Sequence, residues 1–165
     1  MLVLAGVVGA CAMADREPPP GQPSFYRSMA SADAQLDAEG AASMISGYRQ
    51  NNGLAAVSID PVLMRLAEEQ AHAMAARDKL DHSLTKPFAD RLRAGGYDAK
   101  VAVENVSAGY HTMAEAFSGW RDSPPHRANM LRAGVTRMGI AAAYAPGSKY
   151  KVFWAMILAA PDQRS

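Results

Sequence analysis

The sequence predicts an α+β domain in which helices pack on a small antiparallel sheet. Three observations predict it. Apolar residues recur with helical period in separate stretches, from Ala41 to Tyr48, Leu63 to Met74 and Met113 to Trp120 of the 165-residue chain. The last third changes period: Arg137 to Tyr144 and Tyr150 to Leu158 read as two strands joined through Ala145-Pro146-Gly147-Ser148, a Pro-Gly turn. Within the second of these, Val152-Phe153-Trp154-Ala155-Met156-Ile157-Leu158 is almost wholly apolar, as in a strand covered on both faces. Helices early and strands late argue for segregated layers.

The domain is expected over residues 33–160. Ala41, Met44, Ile45 and Tyr48 fall at i, i+3, i+4 and i+7, one face of a helix that Asn51-Asn52-Gly53 ends. Asp60-Pro61 opens the next helix, with Asp as N-cap and Pro at the first helical position. Leu63, Leu66, Ala67, Gln70, Ala71 and Met74 form its inner stripe, and the helix fades near Lys79-Leu80. His72 falls opposite that stripe and reads as a solvated surface residue. Phe88 and Leu92 support a short helix from Pro87 to Ala94, stopped by Gly95-Gly96. A strand follows over Val101-Ala102-Val103-Glu104-Asn105-Val106, with two polar residues interrupting its apolar run. Thr112-Met113-Ala114-Glu115 is a capping box ahead of Met113, Ala116, Phe117 and Trp120 at helical spacing. That cap explains Glu115 without any chemistry. Two prolines then stop the helix, and His126 stands at the start of whatever follows.

Hydrophobic residues make up 49% and charged residues 20%, which places the chain among globular proteins. A net charge of +1 without a Lys/Arg run leaves no electrostatic footprint for nucleic acid. The single cysteine, Cys11, excludes an internal disulfide and a thiolate metal site. It follows the apolar run Leu2 to Ala10, which is shorter than the ~20 residues a membrane-spanning helix needs. Residues 1–11 therefore read as the end of a signal segment, with Val8-Gly9-Ala10-Cys11 as a lipobox whose cysteine is lipidated. No Lys or Arg precedes Cys11, which a start further upstream would account for. Residues 12–32, rich in proline from Pro18 to Pro23, read as a linker holding a tethered domain off a membrane.

Three residues stand outside the packing logic: His82 just past a helix, Glu104 inside a strand, and His126 after the double proline. If tertiary structure brings them together, two imidazoles and one carboxylate suit zinc, with one position left for water. Without metal, a His-Glu pair suits general acid–base work. The third reading is a polar network that satisfies its own hydrogen bonds. The chain has neither an H-E-x-x-H metalloprotease spacing nor a G-x-S-x-G elbow. Ser83, Ser107 and Ser123 read as cap or loop hydroxyls, and His111 as a loop residue. Asn105 and Asn129 either orient the histidines or brace a loop.

Trp120-Arg121-Asp122-Ser123-Pro124-Pro125-His126-Arg127-Ala128-Asn129-Met130-Leu131 resembles the W-x-x-S-x-x-H-R-x-N-[IM]-L signature of bacterial CAP-superfamily domains (cysteine-rich secretory proteins, antigen 5, pathogenesis-related 1). Leu63, Leu66, Ala67 and Ala71, then His82-Ser83, Val103-Glu104-Asn105, Met138-Gly139-Ile140 and Phe153-Trp154 extend the likeness from Ala41 to Ala159. The resemblance implies an α-β-α sandwich with a small antiparallel sheet between helical layers. It implies a central cleft with a tetrad of two histidines and two acids, three of them matched by His82, Glu104 and His126. The fourth acid falls near Ser123, a departure that weakens any transfer of metal behaviour. Cleft candidates are thus His82, Glu104, His126, Asn105 and Ser123, with His82, Glu104 and His126 as the zinc set and Cys11 as the lipidation site. The leading expectation is an extracytoplasmic or secreted, lipid-anchored monomer. Its cleft would meet a lipid, peptide or glycan of the cell envelope. The alternatives are a metal-assisted or His-Glu hydrolase and a purely structural module.

Overall fold

The computed structural model describes residues 21–162. The lipobox with Cys11, and the linker up to residue 20, lie outside the described residues. From the N-terminal side, a 3-10 turn at Ser24–Tyr26 leads to α1 (Ala38–Asn51), β1 (Ser58–Ile59), α2 (Pro61–Arg77), α3 (Phe88–Ala94), β2 (Ala99–Ala108), α4 (Met113–Asp122), α5 (Pro124–Met130), β3 (Arg137–Tyr144) and β4 (Val152–Pro161). Met29 is buried in the core and its N–H donates to His111 O (2.7 Å), so packing reaches back beyond Asp33.

The four strands run in the order β1-β3-β4-β2. β3 and β2 both pair antiparallel with β4, as the hairpin reading requires for β3 and β4. The sheet departs from the antiparallel expectation at one edge, where the two-residue β1 lies parallel to β3. Two residues carry no readable alternation, so β1 left no pattern in the sequence. No helix among the described residues is long and apolar enough to cross a membrane.

Helices cover both faces. Ile45 of α1, Met113, Ala116 and Trp120 of α4, and Met130 of α5 form one core with Met138, Ile140, Trp154, Met156 and Leu158. Leu63, Leu66, Ala67, Ala71 and Met74 of α2 and Leu92 of α3 form the other, with Phe153, Ala155, Ile157 and Ala159. The period-2 alternation of β4 thus feeds both layers in turn, and Val152 to Ala159 are all buried. The α-β-α sandwich follows directly.

Local chemistry sets the ends of the elements. Asp60 caps α2 by accepting from the N–H groups of Val62 and Leu63. Asp78, left-handed at φ 46°, closes the same helix one residue ahead of Lys79-Leu80. Thr112 and Glu115 complete a reciprocal capping box on α4. Gly139 permits the close approach of β3 to α2, because a Cβ there would overlap the backbone of Leu63 and Met64. Pro124 and Pro125 do end α4, and they also open α5, where a missing N–H is no loss. Arg49, 1% exposed, donates to the carbonyls of Ala55, Met130, Arg132 and Val135, which ties the end of α5 to α1.

Candidate functional site

The site is built around β2, an edge strand of the sheet. Adjacent residues of a strand point to opposite faces. Glu104 therefore turns toward α2 and α3, and Asn105 toward α5. Their hydrogen bonds confirm the split.

On the α2–α3 side, the Glu104 carboxylate is buried and held from two directions. Arg91 of α3, itself 6% exposed, donates from Nη2 to Glu104 Oε1 at 2.6 Å. His82 Nδ1 lies 2.8 Å from Glu104 Oε2. The loop that carries His82 is pinned on both sides of the residue. Gln70 of α2 donates to Asp81 O (2.6 Å), and Arg91 Nη2 reaches His82 O (3.3 Å). The Asp81 carboxylate also accepts from the Ser83 N–H, which tightens the turn. The result is a buried ion pair beneath an imidazole whose side chain is 52% exposed.

On the α5 side, the contacts are neutral. Asn105, fully buried, donates to His126 O at 3.0 Å. Asn129 Nδ2 donates to Asn105 Oδ1 (2.9 Å) and, around the strand, to Glu104 O (3.0 Å). Asn129 thereby satisfies an outward-facing carbonyl that an edge strand would leave bare. Both asparagines brace α5 against β2. His126 is half-buried, and its Nδ1 lies 3.0 Å from Ser123 Oγ.

The two histidines titrate in opposite directions. Donating a hydrogen bond to the Glu104 carboxylate raises the His82 pKa above the ordinary 6.5, against burial and the nearby Arg91 charge. Burial lowers the His126 pKa below 6.5, and the His82 charge lowers it further. His82 therefore holds its proton more tightly than an ordinary histidine and His126 less tightly.

The zinc set expected of His82, Glu104 and His126 is not assembled. Glu104 offers its two oxygens to Arg91 and His82, and a metal ion on that carboxylate would sit against the guanidinium. His126 bonds to Ser123 rather than to Glu104. Among the described residues, no group of three or more His, Cys, Asp and Glu side chains is placed to hold a metal ion. These residues do not fit the metal, and Arg91 supplies the positive charge instead.

Arg91 is the residue that sequence reasoning missed. Its short helix also carries Asp90 and Arg93, and those two pair with each other at the surface. Nothing in the order of charges marks Arg91 as the buried one, although its neighbour Leu92 hints at the inward face. Ser107 is buried with a hydroxyl that has no partner among the described residues, and Ser83 is exposed. His72 is a surface residue beside Glu68, and His111 an exposed loop residue whose N–H donates to Glu115.

Comparison with known proteins adds sequence and fold relatives. The family model described as CAP, cysteine-rich secretory protein family, matches residues 42–158. The uncharacterized protein YkwD of Bacillus subtilis (strain 168) is 30% identical over 100 residues, 59% of this chain and 38% of that protein. The chain thus spans well under half the length of that relative. An extracellular protein containing a SCP domain from Bacillus anthracis str. Ames superposes with TM-score 0.65 at 21% identity, covering 74% of this chain and 39% of that one. An outer surface protein of Borrelia burgdorferi gives TM-score 0.66 at 16% identity, covering 73% and 89%. At these identities the two structures speak to the fold alone.

Proposed function

We propose, for a chain that belongs to the CAP (cysteine-rich secretory protein) family, a role in binding a ligand outside the cytoplasm through the polar cleft at the edge of β2. One observation carries this reading: an exposed His82 ring stands on a buried Glu104–Arg91 pair. The buried pair fixes the ring without occupying its outer face. An exposed ring of raised pKa, His82, with the half-buried His126 of lowered pKa on the other side of β2, suits a polar group of a peptide, glycan or lipid headgroup. The extracellular and outer-surface descriptions of the fold relatives support an envelope or secreted setting. Cys11 is the proposed lipid anchor, and the domain works as a monomer without nucleic acid.

The test is a ligand screen with envelope peptides, muropeptides and lipid vesicles, followed through the ring resonances of His82 and His126. A ligand of this cleft should move both rings and lose about tenfold or more in affinity in His82→Ala. Ligands that bind His82→Ala as tightly as the parent would remove the cleft from the function. For the anchor, Cys11→Ser should leave the membrane fraction; retention there contradicts lipidation.

A second reading has its own observation. Environments that push two titratable groups apart suit an acid and a base. His82 and His126 are such a pair, with the Ser123 hydroxyl 3.0 Å from the latter. A hydrolase of peptide or envelope polymer would lose turnover in both His126→Asn and Glu104→Gln while the fold persists. Turnover unchanged in both variants would discard it.

A further inference from the structure

The edge of the sheet opposite β2 is left largely bare. β1 pairs only with Arg137 and Met138 of β3. From Gly139 to Tyr144, β3 has β4 on one side and, among the described residues, no strand on the other.

The direction of the backbone follows residue by residue. Met138 O accepts from the Asp60 N–H (2.9 Å), and the Ile140 N–H donates to Met64 Sδ (3.3 Å), so both residues turn away from β4. Alternate residues of an antiparallel strand turn their N–H and C=O the same way. Ala142 and Tyr144 therefore turn outward as well. Tyr144 stands opposite Val152, whose carbonyl accepts from the Gly109 N–H on the β2 side, in agreement with that phase. The outward N–H and C=O of Ala142 and Tyr144 have no partner among the described residues, and both residues are partly exposed. A row of this kind is a template for another strand.

A groove of about 600 Å³ runs along this edge. Every residue from Ile140 to Tyr144 lines it, as an edge allows and one face of a sheet does not. One wall is the segment ahead of α1, with Ala34 and Leu36, and the other is α2, with Met64, Glu68 and His72. Ala34, Leu36 and Met64 are partly exposed, and Glu68 and His72 are exposed, so an occupant can reach both walls.

We propose that this groove takes an extended peptide, which adds to β3 as a further strand. Its backbone supplies the alternating acceptors and donors that Ala142 and Tyr144 lack. A second copy of the chain does not fit, because its own β3 edge lies on the floor of an equal groove between the same two walls. Charge sets the preferred sequence. Among the described residues lining the groove, Glu68 is the only Asp, Glu, Lys or Arg, and its side chain is 67% exposed. Side chains of an added strand alternate between the walls. The favoured peptide therefore alternates apolar residues, toward Ala34 and Leu36, with basic residues, toward Glu68. A fatty acid would bring its carboxylate to Glu68 and leave the backbone row unpaired. The site lies at the far edge of the sheet from His82 and does not depend on what that cleft binds.

The experiment follows backbone amide exchange in the full chain by nuclear magnetic resonance, with acetyl-Val-Lys-Val-Lys-Val-amide as the probe. In the free chain, the Ala142 and Tyr144 amides should exchange about tenfold or more faster than those of Ala141 and Ala143, which turn toward β4. The peptide should saturate in the millimolar range or below and slow exchange at Ala142 and Tyr144. One version is N-methylated on its valines and another on its lysines. Only one of the two should lose about tenfold in affinity, because alternate N–H groups of an added strand face β3. Acetyl-Val-Glu-Val-Glu-Val-amide should bind several-fold more weakly, and Glu68→Lys, an exposed substitution, should reverse that preference. The proposal is overturned by any of five results: Ala142 and Tyr144 amides as slow as their neighbours in the free chain, no saturation, equal effects of the two methylations, a preference unchanged in Glu68→Lys, or decanoate bound at this edge more tightly than the lysine peptide. Failure here leaves the His82 cleft untouched, because the amides followed lie at the opposite edge of the sheet.

Discussion

The two sides of β2 hold their histidines by different physics. On one side, His82 rests on a buried ion pair and is itself exposed. On the other, His126 is half-buried among neutral hydrogen bonds from Ser123 and, through its carbonyl, Asn105. Adjacent residues of one strand, Glu104 and Asn105, generate both environments because they face opposite ways. The difference teaches that a His-Glu-His order along the chain need not make one ligand set. It can make two titratable groups with opposite preferences on the two sides of one strand.

The largest expected effect comes from breaking the ionic side. Arg91→Ala leaves the Glu104 carboxylate buried without its cation and should lose about 3–5 kcal/mol in urea unfolding. Glu104→Leu combined with Arg91→Met should recover most of that loss, since a buried pair replaced by apolar groups is often neutral. If the single substitution costs as little as the double, the pair is not the support described here. The neutral side should give way more gently. Asn105→Ala strands the His126 carbonyl and part of Asn129, and a loss of about 1–3 kcal/mol is expected by the same measurement.

Protonation sharpens the contrast further. The raised pKa of His82 stabilises the fold below the unfolded value of about 6.5, and that contribution disappears as pH rises through its folded pKa. The lowered pKa of His126 works the other way. Its contribution is present above about 6.5 and is lost as pH falls through its folded pKa. Removing each histidine in turn should therefore alter opposite limbs of the stability–pH profile. The smallest effect is expected of Ser123→Ala. It deletes one partly exposed hydrogen bond, and stability should change by no more than about 1 kcal/mol.

How much of this was legible depended on whether a residue's role was local. The α2 stripe of Leu63, Leu66, Ala67, Gln70, Ala71 and Met74 is buried as its period predicts. The burial of β4 and the α4 capping box were equally readable, because each is written in consecutive residues. β1 was not, being two residues whose pairing with Arg137 and Met138 is set by distant chain. At the site, the sequence singled out His82, Glu104 and His126 because polar residues broke apolar patterns. It did not disclose Arg91, whose burial is decided by the packing of α3 over Glu104. Nor did it show that Glu104 and His126 would be divided by β2, although the alternation of a strand already separates Glu104 from Asn105. The expected zinc set failed at that point: spacing along the chain carried no information about side-chain direction.

The central claim is that β2 separates two histidines of opposite electrostatic character. A nuclear magnetic resonance titration of the His82 and His126 ring protons tests it directly, in the parent chain and in Glu104→Gln. The account predicts His82 above and His126 below the ordinary value of 6.5, with only His82 falling markedly when Glu104 is neutralised. Two histidines titrating on the same side of 6.5, or a His82 value indifferent to Glu104→Gln, would contradict it.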